Sequence, residues 1–395
     1  MFIFSFMPTF DVLRIYKNKV SNKLFGVVHL PSIGKKKGDV LLSYITESFT
    51  CTPSERFTDP HTNKWECSEI VRLFTLRGYA VDVINFKNTD FIPRKKYVAC
   101  IDIMQNLERL TKYLPTNCKK VMHITSAYGE FQNTVEKQRL LELKRRRNIS
   151  LTPHRTGVVS NNPAYADFLE GLGNQTTHAT YARFKKHIYP IPISVAREFD
   201  LPEQKNFETA RTHFLWFGGG GAILKGLDLV IEAFADLPKL SLHIVGPLAR
   251  EKDFVQAYKY ELALPNIKYY PRPHIFPDGE MRSGDIPFLD IANRCSTLIY
   301  PSASEGTSGA VVQAMHAGII PIITKQTGIS EDAPVIICDT PTVESIRDLA
   351  IQITKTDPLE LRESAYKAWG YARAHHTQKT FSEAYSRFID DILHL

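Results

Sequence analysis

The chain is predicted to be an α/β protein built from two doubly wound domains. Short apolar runs alternate with helical segments in both halves of the 395 residues, a pattern typical of parallel sheets covered on both faces. The length suffices for two domains of ordinary size. A polar, irregular stretch at 195–212 separates the two runs and is predicted to be a linker. We therefore expect a first domain at 1–200, a second at 201–375 and a final helix at 376–395.

The first half is predicted from its apolar runs and helical spacings. Asp11–Leu24 has loosely spaced apolar residues, which favour an amphipathic helix, and 47–60 is predicted to be a loop. Runs rich in β-branched and aromatic residues predict strands at Asp39–Thr46, Ala80–Phe86, Tyr97–Ile103, Val121–Thr125, Ala166–Leu169 and Ile188–Ser194. Helices are predicted after His61 as far as Arg77, at Gln105–Tyr113 and at Phe131–Arg147.

The second half repeats the alternation. The predicted strands are Phe214–Phe217, Ser241–Val245, Ile267–Tyr270, Thr297–Tyr300 and Ile319–Ile323. The predicted helices are Gly226–Ala235, Phe254–Leu264, Pro287–Arg294 and Ala310–His316. From Thr342 onward the tail is predicted to be helical, in at least three pieces.

Composition and cysteine usage favour a globular protein of a reducing compartment, the cytoplasm. Hydrophobic residues make up 43% and charged residues 23% of the chain. The six cysteines show neither metal-ligand spacing nor a disulfide framework. No apolar run approaches the roughly 20 residues of a membrane span, and the apolar start at Met1–Met7 is too short for a signal peptide.

Charge is distributed unevenly along the chain. Residues 1–200 carry 30 Lys and Arg against 18 Asp and Glu, whereas 201–395 carry 19 against 24. Any one basic cluster, such as Lys144–Arg147, is typical of a solvated helix face. The asymmetry as a whole indicates an anionic partner or a membrane surface for the first half. We expect no nucleic-acid partner.

The unit Thr297–Thr324 has the chemistry of an anion site. Its loop joins a buried strand to a helix, and the amides at Thr307, Ser308 and Gly309 would open that helix, where free N–H groups bind phosphate. Gly306 and Gly309 would let a ligand approach the backbone. An acid beside phosphate would repel it, so we expect Glu305 to bind hydroxyl groups. The alternative is that Glu305 only stabilises the start of the helix.

A second glycine-rich loop follows the strand Phe214–Phe217. Lys225 lacks the flanking glycine and Ser or Thr of a P-loop, and Ile223 breaks a dinucleotide fingerprint. The amides of Gly219, Gly220 and Gly221 could form an anion nest. The alternative is a flexible turn followed by a solvated lysine.

These two loops together carry a resemblance to family 4 glycosyltransferases. The first match is Pro301-Ser302-x-x-Glu305-Gly306, followed by Ala314-Met315-x-x-Gly318-x-x-Pro321, and the second is Lys225-Gly226-Leu227-Asp228. The resemblance implies the GT-B fold, in which two Rossmann-like domains face each other across a cleft and the last helix crosses back to the first domain. It covers most of the second half and is thinner in the first.

The resemblance also implies residue roles. Glu305 would contact the donor sugar, Lys225 the diphosphate, and position 313 the ribose. The family has a second glutamate where this chain has Gln313, and it commonly has an arginine after the first glycine of the loop, an area that glycines occupy in this chain. The donor-binding set is Gly219, Gly220, Gly221, Lys225, Glu305, Gly306, Thr307, Ser308, Gly309 and Gln313.

His61 completes the predicted catalytic set with Glu305 and Lys225. The segment His61–Glu66 is similar to a motif of some relatives and would lie at the cleft, where His61 would contact the acceptor or the diphosphate. Packing of His61 against Trp65 is the alternative. The buried run around His123 is more typical of a core histidine.

The resulting hypothesis is a retaining, metal-independent glycosyltransferase. No Asp-x-Asp metal motif occurs, and we expect no cofactor beyond a nucleotide-diphosphate sugar. The acceptor would be a glycan, a glycoprotein or a lipid-linked sugar, with peripheral membrane contact through the basic half. The alternatives are an epimerase or phosphorylase of the same fold, or a nucleotide-sugar-binding protein with weakened catalysis.

Overall fold

The computed structural model describes residues 9–52, 55, 61–271, 273–276 and 286–394. Within this part of the chain, seven strands form the sheet of the first domain, in the order β1-β3-β2-β4-β5-β6-β7. Six are parallel, and β1 pairs antiparallel with β3 at the edge. The strands are β1 Val27–Leu30, β2 Gly38–Tyr44, β3 Tyr79–Asn85, β4 Tyr97–Asp102, β5 Lys119–Ile124, β6 Phe168–Gly171 and β7 Ile188–Pro190.

Helices cover both faces of this sheet because its strands are apolar on both sides. The residues Val40, Leu41 and Leu42 of β2 are fully buried, although neighbours in sequence point to opposite faces. The helices are Thr9–Phe25, Glu47–Thr50, Asn63–Leu76, Leu107–Thr111, Gly129–Arg147, Asn162–Tyr165 and Gln175–Ala179, with a 3₁₀ turn at Ala182–Phe184.

The second domain contains a six-stranded parallel sheet in the order β10-β9-β8-β13-β14-β15 within the described residues. Its strands are β8 His213–Phe217, β9 Ser241–Val245, β10 Ile267–Tyr270, β13 Thr297–Tyr300, β14 Ile320–Ile323 and β15 Ile336–Ile337, and β11 Pro273–His274 pairs separately with β12 Ile286–Pro287. The helices are Phe207–Ala210, Leu227–Ala235, Lys252–Ala257, Phe288–Arg294, Gly309–His316, Val343–Lys355 and Pro358–His375, with 3₁₀ turns at Leu248–Arg250, Glu261–Ala263 and Lys325–Thr327.

The last helix, Gln378–His394, returns to the first domain. Its apolar face, which includes Phe381, Phe388 and Ile392, is buried in the first-domain core. The guanidinium of Arg77, at the end of the helix Asn63–Leu76, donates to both oxygens of Asp390 at 2.7 Å. The helix crosses back as the GT-B resemblance implies.

The α/β class with two parallel sheets is confirmed. The largely irregular segment 195–212 joins the two sheets, although its residues Val195, Phe199 and Phe207 are buried in the second-domain core. Two local expectations are wrong. The loop expected at 47–60 begins with the short helix Glu47–Thr50, while positions 53, 54 and 56–60 lie outside the described residues. The helix expected at Phe254–Leu264 is interrupted after Ala257.

Candidate active site

The two predicted loops meet at the carboxyl ends of β8 and β13. Strand β8 lies between β9, which follows it in the chain, and β13, which comes later. The order of the strands therefore reverses between β8 and β13. Ligands bind in the crevice at such a switch point of a parallel sheet. The amide of Ala303 donates to the carbonyl of Leu224 at 2.8 Å and joins the two loops.

Gly226 explains why the loops fit so closely. Its φ is +68°, and a Cβ added there would lie 2.6 Å from Cγ of Pro301. A larger residue would therefore be strained and would also push the two loops apart. The lysine that precedes it is thus directed toward the carboxyl end of β13.

Lys225 and Glu305 form an ion pair at the centre of the site. The Nζ of Lys225 lies 3.0 Å from Oε1 of Glu305, and only 9% and 12% of the two side chains are exposed. The hydroxyl of Tyr300, the last residue of β13, donates to the same carboxylate oxygen at 2.7 Å. The structure thus brings together two of the three predicted catalytic residues and adds Tyr300.

The electrostatic environment keeps Glu305 ionised. Burial by itself would raise the pKa of Glu305, but the positive charges of Lys225 and Arg155 outweigh burial and lower the pKa below its usual value. Burial and the neighbouring carboxylate raise the pKa of Tyr300, which remains a hydrogen-bond donor. An ionised carboxylate accepts hydrogen bonds from hydroxyl groups strongly.

The predicted anion nest holds a carboxylate of the protein itself. The amide of Gly221 donates to Oε1 of Glu251 at 2.5 Å, and the amide of Ala222 donates to Oε2 at 3.0 Å. Glu251 is only 3% exposed and lies just before the helix Lys252–Ala257. A Cβ added to Gly220 would lie 3.5 Å from Oε1 of Glu251, whereas a Cβ added to Gly219 would meet open space. Glu251 thus occupies the amide of Gly221, one of the three residues of the predicted nest, and the amide of the following Ala222.

The loop 306–309 contacts the first domain. A Cβ at Gly306 would overlap the carbonyl oxygen of Thr125, so this glycine accommodates the backbone after β5. The amide of Ala127 donates to the carbonyl of Glu305 at 3.1 Å, and the hydroxyl of Thr307 accepts from the amide of Gly173 at 3.0 Å. Contact with the other domain accounts for Gly306 without a ligand.

The helix Gly309–His316 begins beside this loop. The amide of Ser308 donates to the carbonyl of Thr327 at 2.9 Å, so it has a partner within the protein. The backbone of Ser308 is extended, and the helical conformation starts at Gly309. A helix start therefore does lie next to Glu305, as expected.

Gln313 has partners other than a ligand. Its Nε2 donates to the carbonyl of Arg197 at 2.7 Å, and its Oε1 accepts from the amide of Arg197 at 3.1 Å. The side chain is 3% exposed. It thus ties the connection between the domains to the helix Gly309–His316, and a ribose contact would require this pair to open.

His61 is exposed at the start of the helix Asn63–Leu76, and its Nδ1 accepts from the amide of Asn63 at 3.4 Å. This contact lies within its own segment, whereas the ion pair of the site is formed by Lys225 and Glu305. Trp65 packs edge-on against Phe381 of the last helix. His123 is a core residue, as its surroundings suggested, and its Nδ1 lies 2.8 Å from Glu170.

The basic helix Gly129–Arg147 crosses onto the second domain. Arg146 pairs with the buried Asp228 at 2.7 Å and with Glu232 at 2.6 Å, while Arg147 pairs with Glu261 at 2.6 Å. Arg139 donates to the carbonyl of Pro301 at 2.9 Å. Part of the positive charge of the first half therefore faces acidic groups of the second half.

Sequence reasoning missed Glu251, Tyr300 and Arg155. Tyr300 could have been found, because it is the last residue of a strand whose following loop was already singled out. Glu251 follows the neighbouring strand β9, and such a position is a weak signal. Arg155 comes from a polar loop of the other domain, and no pattern in the sequence marks it.

Other features of the structure lie apart from this site. A surface cavity of about 300 Å³ is lined by β14 and the helices Val343–Lys355 and Pro358–His375, and it contains neither Lys225 nor Glu305. Among the residues placed by the structure, no group of three or more His, Cys, Asp or Glu side chains is arranged to hold a metal ion. None of the described helices has the length and apolar character needed to cross a membrane.

The two facing sheets, the returning helix and the paired strand-end loops define a protein of the GT-B class. Residues 203–368 match the family described as glycosyl transferases group 1. No curated protein matches the chain in sequence. The loop-bearing domain is thus similar to the group 1 glycosyltransferases, and the GT-B fold extends through the chain.

Solved structures share this fold at low sequence identity. Sucrose-phosphate synthase from Thermosynechococcus elongatus is 12% identical with a TM-score of 0.61, covering 90% of this chain and 98% of its own. Trehalose-6-phosphate synthase OtsA is 9% identical with a TM-score of 0.56, covering 91% and 99%. A TarM variant from S. aureus, solved with UDP and alpha-GlcNAc-glycerol, is 11% identical with a TM-score of 0.50, covering 73% and 54%. This chain thus spans about half the length of TarM.

Proposed function

We propose that the chain transfers a sugar from a nucleotide-diphosphate sugar to an acceptor hydroxyl with retention of configuration. The observation that carries the proposal is the Lys225–Glu305 pair at the switch point between β8 and β13. A cation for a diphosphate and an ionised acceptor for sugar hydroxyls lie side by side there. A nucleotide-diphosphate sugar presents these two groups next to each other.

The chemistry is derived from the charges of the site. Lys225 neutralises the diphosphate that leaves when the bond to the anomeric carbon breaks, which is electrostatic stabilisation of developing charge. Glu305 orients the sugar through its hydroxyls, and the acceptor hydroxyl attacks from the face that the diphosphate leaves. The departing phosphate oxygen takes the acceptor proton, so a carboxylate base is not needed and the charges balance. We propose that the reaction requires no metal ion.

The acceptor is assigned to the first domain. Its sheet has its own switch point between β2 and β4, since β3 lies on one side of β2 and β4 on the other. The acceptor class we propose is a glycan, a glycoprotein or a lipid-linked sugar. The six cysteines are free thiols, which supports a cytoplasmic location.

Peripheral membrane contact is proposed for the helix Thr9–Phe25. Its residues Leu13, Tyr16, Val20 and Leu24 share one face and are 39–69% exposed, while the buried Asn18 faces the protein. Lys17 and Lys23 are exposed along the same helix. An apolar stripe with basic neighbours suits an anionic membrane surface. The double variant Leu13→Glu/Leu24→Glu should no longer co-sediment with phosphatidylglycerol vesicles. The control variant Leu359→Glu should still co-sediment, because Leu359 is an equally exposed leucine of the second domain.

The transfer function is tested by ligand binding followed by product analysis. A thermal-shift screen across nucleotide diphosphates should find one that raises the melting temperature, because a ligand that binds only the folded state stabilises it. The matching sugar donor should then give a product with retained anomeric configuration by NMR, with and without EDTA. A changed sugar on the intact donor, formed in the absence of any acceptor, would instead indicate an epimerase.

A binding protein with weakened catalysis is the second candidate. It is favoured by two observations: Glu251 occupies two amides of the glycine loop, and Gln313 is engaged by Arg197. Hydrolysis of the donor by purified protein, abolished by Glu305→Ala, would argue against a binding protein that has lost catalysis.

A further inference from the structure

The glycine loop is poor in positive charge for a diphosphate site. Positions 218–224 are four glycines followed by Ala, Ile and Leu, so Lys225 is the first cation that follows β8. The amides of Gly221 and Ala222 hold the buried carboxylate of Glu251, which brings a negative charge to the loop. A bound diphosphate would therefore need another cation close to this end of the loop.

Arg155 of the first domain lies at this end. A Cβ added to Gly221 would overlap Cγ of Arg155, so the stem of the arginine packs against the glycine. Gly221 has a φ of +94°, and the absence of a side chain is what admits the arginine. Arg155 is exposed and also acts electrostatically on Glu305 and Tyr300. Its charge thus reaches the Lys225–Glu305 pair from the opposite domain.

The segment that carries Arg155 is anchored on both domains. The amide of Arg155 donates to the buried Glu136 at 2.8 Å, and its carbonyl accepts from the side-chain amide of Gln132. Both partners belong to the basic helix. On the other side, Nε2 of His154 and the hydroxyl of Thr152 each lie 2.8 Å from Asp253 of the second domain. The first domain therefore positions Arg155 next to the contact that His154 and Thr152 make with Asp253 of the second domain.

We propose that Arg155 binds the donor diphosphate from the first domain and supplies the charge that the glycine loop lacks. This inference rests on the proposed function and adds a phosphate-binding residue to it. The diphosphate would lie between Lys225 of the second domain and Arg155 of the first. Donor binding then stabilises the contact between the domains, because one ligand pairs with cations from both.

The test compares charged and uncharged ligands by calorimetry. Arg155→Gln should weaken a nucleotide diphosphate roughly 10- to 150-fold, the effect of one charge-assisted contact, and leave the nucleoside nearly unchanged. Arg145→Gln is the matched control, because Arg145 is an exposed arginine of the basic helix. Melting temperatures of all variants show whether each one folds.

A rescue variant separates a phosphate contact from a structural role. Gly219 has open space around its Cα and no positive φ, so Gly219→Arg places an arginine in the loop without strain. In the Arg155→Gln background, Gly219→Arg should recover most of the lost nucleotide-diphosphate affinity. A structural defect at Arg155 would not be repaired in this way.

The outcomes separate this inference from the proposed function. If Lys225→Ala and Arg155→Gln both weaken nucleotide-diphosphate binding, and Gly219→Arg restores it, the result supports a diphosphate bound between Lys225 and Arg155. Weakening by Lys225→Ala alone overturns the role of Arg155 and leaves the proposed function intact. Absence of any nucleotide-diphosphate binding to the wild-type protein overturns both.

Discussion

The two domains contribute to the site in different ways. The second domain supplies the two loops that resemble a known family, with Lys225 and Glu305 between them. The first domain has no strong motif, yet its residues Arg139, Arg146, Arg147 and Arg155 contact the second domain. The difference teaches that motifs mark the strand-end loops of one domain, while the other domain contributes charge from positions that carry no sequence pattern.

The comparison is sharpest at Glu305, where the largest effect is expected. Glu305→Ala should lower turnover about 10²- to 10³-fold, because the sugar loses its orienting carboxylate. Affinity for free nucleotide diphosphate should hold or rise, since a negative charge beside Lys225 is removed. Calorimetry and transfer rates measure both, with the exposed Glu331→Ala as control. A loss of nucleotide affinity as large as the loss of rate would show that Glu305 does not face the sugar.

The interface between the domains is tested by Arg146→Ala. This change leaves Asp228, whose side chain is 2% exposed, without its ion pair. The free energy of unfolding should fall by about 2 to 3 kcal/mol, measured by urea denaturation. The neighbouring Arg145→Ala should change it by less than about 0.5 kcal/mol. Equal effects of the two variants would mean that the Arg146 pairs add nothing to stability.

Gln313 distinguishes a structural from a ligand-binding role in the second domain. If its pair with Arg197 matters, Gln313→Ala should cost about 1 to 2 kcal/mol of stability, because the half-buried N–H and C=O of Arg197 lose their partners. Gln313→Glu should also destabilise, since a carboxylate cannot donate to the Arg197 carbonyl. If the residue binds a ribose, Gln313→Ala should lower the affinities for nucleotide and donor by the same factor. Gln313→Glu should then leave both affinities unchanged or raise them. Calorimetry and denaturation on both variants decide between the roles.

Buried histidines should make the two domains respond oppositely to acid. Burial lowers the pKa of His316 in the second domain to about 4, so the unfolded chain binds its proton first and stability falls as the pH drops from 6.5 toward 4. In the first domain, burial would lower the pKa of His123, but Glu170 outweighs it and raises that pKa. The contribution of His123 to the free energy of unfolding is therefore complete below pH 6.5, and it is lost as the pH rises through the raised pKa of His123.

Each histidine should contribute a slope of at most about 1.4 kcal/mol per pH unit in its window. Denaturation across pH 4–9 measures these slopes. His316→Gln should flatten the acid side, and His123→Gln should flatten the side above pH 6.5. The same flattening in both variants would contradict the opposite signs.

The sheets were predictable from sequence because buried parallel strands are apolar runs. Strands such as Ser241–Val245 and Thr297–Tyr300 have the predicted bounds. The edge strand Val27–Leu30 was missed, since it is short, pairs antiparallel and carries the polar His29. The connection at 195–212 looked polar in sequence, but its few apolar residues are directed into the core. Local composition does not reveal which side of a segment faces inward.

The site was predictable only in part, for a related reason. Lys225 and Glu305 were found because each follows a strand in a recognisable loop. The partners that determine how those loops behave, Glu251, Arg155 and Arg197, are brought in by tertiary packing. Their distances along the chain from the loops are too large for any spacing rule to connect them.

The central claim, a diphosphate held by a motif-borne cation, is tested most directly by Lys225→Ala. Calorimetry would compare a nucleotide diphosphate with the corresponding nucleoside for the wild type and the variant. The account predicts that the variant loses roughly 10- to 150-fold in affinity for the diphosphate and almost nothing for the nucleoside, because the phosphates are the only part of the ligand that the lysine would contact. Equal losses for the two ligands would contradict the account and show that Lys225 only supports the loop through its pair with Glu305.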